Sequence, residues 1–94
     1  HSSCDFYAIL NICDRTLPLG EELQIILPQE YQKKFAFLRE KARYILYPRN
    51  FGDNATLKRY ILVYQVKNFH IPEGYQVIRS FGPDRYLLTN RGIE

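Results

Sequence analysis

The chain has 94 residues, 46% of them hydrophobic and 24% charged, with a net charge of +3. That length makes one domain, and one modest core is its limit. The composition is that of a globular protein and excludes a chain disordered throughout. The longest unbroken apolar runs, Phe6 to Leu10 and Tyr60 to Tyr64, are far short of the about 18 residues that a spanning helix needs.

The N-terminal stretch Ser2-Ser3-Cys4-Asp5 offers a helix start, with serine at the cap and an acid in the first turn. Phe6, Ile9, Leu10 and Cys13 follow at helical spacing, although strict alternation (Phe6, Ala8, Leu10, Ile12) fits a strand nearly as well. Helix is the reading favoured for this segment. Leu17-Pro18-Leu19-Gly20 is a connector, and Glu21 to Leu27 (EELQIIL) reads as a strand stopped by Pro28.

A long amphipathic helix is expected over about 29–46. Pro28 and Pro48 bracket it, and Tyr31, Phe35, Leu38, Ala42, Ile45 and Leu46 share a stripe about 100° wide at 100° per residue. Residues 48–56 (PRNFGDNAT) are a loop by composition. Three strands follow, at about 57–67, 75–81 and 85–89, joined by His70-Ile71-Pro72-Glu73-Gly74 and by Gly82-Pro83-Asp84. Short links between consecutive strands favour an antiparallel meander of three strands or more, with the long helix covering one face. The expected fold is therefore a small single α+β domain spanning residues 1–94. From the start at His1 and the absence of Met, a processed product or a piece of a longer protein is expected.

Arg-Tyr-Ile-Leu occurs at 43–46 and at 59–62, with Arg-Tyr-Leu-Leu at 85–88. Unequal spacing rules out a repeat architecture. The first copy ends a helix and the other two lie in strands, so the copies share letters and not surfaces. In the strand copies packing explains the pattern, with Tyr and Leu inward and Arg toward solvent.

Cys4 and Cys13 are nine residues apart with no turn signal between them. A helix would separate them by about 13–14 Å and a strand by about 30 Å, both beyond the about 4.4–6.8 Å of a disulfide. Two thiols in a reducing compartment are expected, hence an intracellular address in cytoplasm or nucleus. Asn54-Ala55-Thr56 is a glycosylation acceptor triplet that points the other way.

Charge is unevenly distributed: residues 1–30 carry a net −4, residues 31–67 a net +7 and residues 68–94 a net 0. A basic middle draws polyanions or acidic proteins. On the long helix, Phe37 and Tyr44 project away from the core stripe beside Lys33 and Lys41, which makes a ridge of alternating cation and ring. Single-stranded nucleic acid needs that pattern, because each base presents a face to stack and each phosphate a charge to meet. Packing of Phe37 and Tyr44 between helix and N-terminal segment is the competing structural explanation. The candidate binding residues are Lys33, Lys34, Phe37, Lys41, Arg43, Tyr44, Lys58, Arg59 and Lys67.

Catalytic patterns are missing from the sequence. His70 stands before Ile71-Pro72 as a turn residue, no nucleophile triad or paired carboxylates can be placed, and His1, Cys4 and Cys13 lack metal-site spacing. No glycine-rich phosphate loop exists, so no metal and no cofactor are expected. The enzyme reading that composition leaves open is a small nuclease using Tyr, Arg and Lys. The function expected first is a non-enzymatic nucleic-acid-binding module, single strands favoured, acting through the basic-aromatic surface of the long helix and the strand at 57–67. The alternative is a protein-interaction domain of a larger assembly, or a homodimerisation module, using the same surface on an acidic partner.

Overall fold

In the computed structural model, residues 2–29, 35–47, 51–52 and 57–90 are described, the side chains of 2–4, 35–39, 41 and 52 excepted. Helices α1 (Ser2–Thr16) and α2 (Phe35–Leu46) lie with strands β1 (Leu23–Ile26), β2 (Phe51–Gly52), β3 (Tyr60–Tyr64), β4 (Gln76–Gly82) and β5 (Arg85–Thr89) in a small α+β domain. The strands form one sheet in the order β2-β1-β3-β5-β4.

The N-terminal segment is helical. Phe6, Ile9, Leu10, Cys13 and Leu17 are all buried, so the 3.6-residue period wins over the alternating one. One helix carries positions 4 and 13, which keeps them about 13–14 Å apart; Cys13 is a buried thiol. Past α1, the Glu21 N–H donates to the Pro18 carbonyl at 3.3 Å. Gly20 takes φ 88° at the third position of this turn, where a type II geometry calls for glycine.

The long helix is described from Phe35; most of the earlier part of the expected 29–46 span lies outside the described residues. Ala42 and Leu46 are fully buried and Ile45 is half-buried, as the apolar stripe predicts.

The sheet differs from the expected antiparallel meander in two ways. First, it is mixed: within its five strands, β1 pairs in parallel with β2 (Leu23 opposite Phe51) and with β3 (Leu23 opposite Tyr60). Phe51–Gly52, expected as loop, is the two-residue edge strand. Second, β5 lies between β3 and β4, antiparallel to both. Two strands flanking a common antiparallel neighbour run in the same direction, so the connector 65–75 must cross β5.

That crossing explains the second sheet face. Leu23, Ile25, Leu62, Tyr64 and Leu87 face the helices and form the main core with Phe6, Leu10, Ala42 and Leu46. Ile61, Val63 and Leu88 point the other way, where Val66, Phe69 and Tyr75 of the connector pack on them. Covered on both faces, β3 (YILVY) reads as a continuous apolar run and not as an alternating one. It is also shorter than the expected 57–67: Gln65 and Asn68 both adopt φ 57°, which ends the strand at Tyr64.

The connector ends in a second glycine turn, with the Tyr75 N–H donating to the Pro72 carbonyl at 3.2 Å and Gly74 at φ 91°. The β4–β5 hairpin turns through Pro83-Asp84. Pro83 has its backbone angle preset, and Asp84 supplies the positive φ of 60° that its short side chain tolerates.

Candidate nucleic-acid or partner interface

Of the nine candidate residues, the five whose side chains are described lie on three segments: the end of α2, the approach to β3 and the connector that follows it. Arg43 and Tyr44 stand on the helix layer, at the C-terminal end of α2, and both are exposed. Tyr44 retains 84% of its accessible surface in a turn where Ala42 and Leu46 have none. The Tyr47 N–H donates to the Arg43 carbonyl at 3.0 Å, so the helical path continues to residue 47. Tyr47 is 78% exposed. On that path Tyr47 lies three residues from Tyr44 and four from Arg43, the two spacings that make helix neighbours. The result is an open ring, Tyr47, with a cation and a second open ring as its helix neighbours. Lys33 and Lys34 lie outside the described residues, as do the side chains of Phe37 and Lys41.

Lys58 is engaged elsewhere. Its Nζ lies 2.9 Å from Glu22 Oε1, its N–H donates to Gln24 Oε1 at 3.0 Å, and its carbonyl accepts from the Tyr75 hydroxyl. Arg59 is exposed, and its carbonyl accepts from the Asn90 N–H at 2.9 Å, which fixes the backbone just before β3. Lys67 is exposed but belongs to the connector across the sheet from the helices, because β3 has already ended. Lys58, Arg59 and Lys67 therefore do not lie on one strand, as the expected span of 57–67 implied.

Two further described cations, Arg85 and Arg79, are also partly committed. Arg85 pairs with Asp5 at 3.5 Å, and the Arg79 guanidinium carbon lies 5.9 Å from the centre of the Phe81 ring. Both ion pairs take their acid from residues 1–30, so the acidic N-terminal third neutralises part of the basic remainder.

Sequence reasoning missed Tyr47. The helical spacing continued three residues past Tyr44 reaches it, but the expected helix of about 29–46 stops one residue short of Tyr47. His70 is exposed in the connector. Among the described residues, no three His, Cys, Asp or Glu side chains gather in a way that would hold a metal. Among the described residues, no helix is long and apolar enough to cross a membrane. Compared with protein-family models, with curated proteins and with solved structures, the chain matches none.

Proposed function

We propose that this protein is a non-enzymatic binding module for single-stranded nucleic acid, with Tyr44 and Tyr47 as the stacking platform and Arg43 as the adjacent phosphate contact. The observation that carries the reading is the exposure of both rings, 84% and 78%, on one helix end beside an arginine. An aromatic ring held open to water gains from stacking against a base, by about 1–3 kcal/mol per base. The basic middle of the sequence, which includes Lys33, Lys34, Lys41 and Arg59, supplies the net positive charge that draws a polyanion.

A second reading is favoured by the pairing of Lys58 with Glu22. It removes one cation from the expected stripe and leaves a site richer in rings than in charge. Tyr and Arg dominate the hot spots of protein interfaces, so the same helix end fits a docking surface for an acidic, apolar protein partner or a second copy of this chain.

Salt separates the two. Binding of a fluorescently labelled single-stranded oligonucleotide, followed by anisotropy, weakens steeply between low and physiological salt if phosphates are contacted. Replacing both Tyr44 and Tyr47 by Ala then costs about tenfold or more in affinity. A salt-independent affinity, or an unchanged affinity in the double variant, rejects the nucleic-acid reading. Concentration-dependent mass by sedimentation, abolished by the same double variant, identifies self-association instead.

A further inference from the structure

A groove of about 390 Å³ opens between α1 and the β4–β5 hairpin, lined by Asp5, Ala8, Ile9, Ile12, Phe81 and Arg85. It is separate from the Tyr44–Tyr47 helix end and lies within the size range of small-molecule sites, about 300–1,000 Å³. Its walls are of two kinds. Ala8, Ile9, Ile12 and Phe81 supply an apolar surface, and Arg85 supplies a cation at its edge.

Arg85 is held in place but poorly neutralised. Its guanidinium rests against Gly82, where an added Cβ would come within 3.2 Å of Nη2, so the missing side chain makes the seat. A guanidinium carries five N–H donors. Among the described residues its one acceptor is Asp5 Oδ2, at the long distance of 3.5 Å, and its Nε is buried with no acceptor. The Asp5 side chain is 62% exposed against 22% for Arg85, so the acid can swing to water while the cation stays. A second positive charge, Arg79, lies over the Phe81 ring that forms the same wall.

We propose that this groove binds a small organic anion, a carboxylate on a short apolar body. The carboxylate takes the guanidinium of Arg85 in place of Asp5, in the two-pronged geometry that the pair favours. The apolar body lies along Ala8, Ile12 and Phe81. Asp5 acts as a resident competitor, which keeps the empty groove from exposing an unpaired cation.

The test uses hydrocinnamate and its uncharged counterpart hydrocinnamyl alcohol, titrated into the intact chain and followed by amide NMR. Saturable shifts confined to α1 and the β4–β5 hairpin are expected for the acid, with much weaker binding of the alcohol. Arg85→Gln is expected to raise Kd by about tenfold or more, the loss of a charge-assisted pair. Ala8→Glu, at an exposed helix position, is expected to do the same while leaving Arg85 in place, which covers the case in which Arg85→Gln disturbs the hairpin. Asp5→Asn removes the competitor and is expected to tighten binding. Equal binding of acid and alcohol, shifts located elsewhere, absence of saturation, or weaker binding by Asp5→Asn overturns the proposal.

Discussion

Lys58 and Glu22 meet at 2.9 Å across the entrances of two parallel strands, β3 and β1. The two side chains are 30% and 42% exposed, so water screens the pair and its own contribution to stability is about 0.2–1 kcal/mol. The neighbouring bond matters more, because Gln24 is buried and its Oε1 accepts the Lys58 N–H. Glu22→Gln is therefore expected to change unfolding free energy by less than about 1 kcal/mol. Gln24→Ala, which orphans a part-buried donor, is expected to cost about 1–3 kcal/mol. Urea titration of both variants checks the ranking; an equal or larger effect for Glu22→Gln would contradict it.

Phe6 meets Tyr64 edge to face, with ring centres 5.0 Å apart and an angle of 69°. Both rings are at the centre of the core between α1 and β3. Phe6→Ala leaves a cavity there and is expected to destabilise by about 3–5 kcal/mol. Thermal denaturation by circular dichroism reads this directly. A small shift in Tm would mean that α1 is not packed on the sheet as described.

Glycines at positive φ should resist alanine for two different reasons. Gly20 has nothing within 4 Å of a built Cβ, so Gly20→Ala tests the backbone alone, at about 1–2 kcal/mol. Gly82, at φ 131°, adds a crowded guanidinium, and Gly82→Ala is expected to cost about 1–3 kcal/mol. Neutral or stabilising alanine at Gly20, measured by chemical denaturation, would show that the turn does not need its glycine.

Tyr86 titrates above its usual 10.0, first because burial disfavours the phenolate and second because Asp84 is nearby. A phenol whose folded pKa is raised contributes no penalty while it is protonated in both states. Above pH 10 the unfolded chain ionises first, so this group favours unfolding as the pH rises through its folded pKa. Stability measured between pH 9 and pH 11 should fall, and Tyr86→Phe should fall less over the same window. Parallel curves for the two proteins would remove Tyr86 from the account.

Removing both rings at Tyr44 and Tyr47 should leave stability within about 0.5 kcal/mol, because neither contributes to the core. Unfolding of that double variant at an ordinary temperature would mean that the rings are structural, and the proposed platform would fall with them.

The local features were legible from the residues. The strand expected over 21–27 and found at 23–26, the core positions of α1, the burial of Ala42 and Leu46 on the helix stripe and the turn at Gly82-Pro83-Asp84 follow from period and turn chemistry, which are written in neighbouring residues. The order of the strands was not. Whether β5 pairs beside β4 alone or between β3 and β4 depends on where Val66, Phe69 and Tyr75 find apolar cover, and that is a contact between distant parts of the chain. Seen only as turn residues, 70–74 gave no hint that their segment roofs the second face. Two candidate residues depart from expectation for the same reason: Gln65 turns the chain out of the strand before Lys67, and an acid 36 positions away in the sequence holds Lys58.

Placing the last strand in the middle has a consequence for synthesis. A ribosome releases β3 and β4 before β5, and until Arg85–Thr89 emerges those two have no shared neighbour to bond. Until then the second-face cluster lacks Tyr86 and Leu88, and a product truncated before residue 85 would carry an open slot in its sheet that a stray strand could fill.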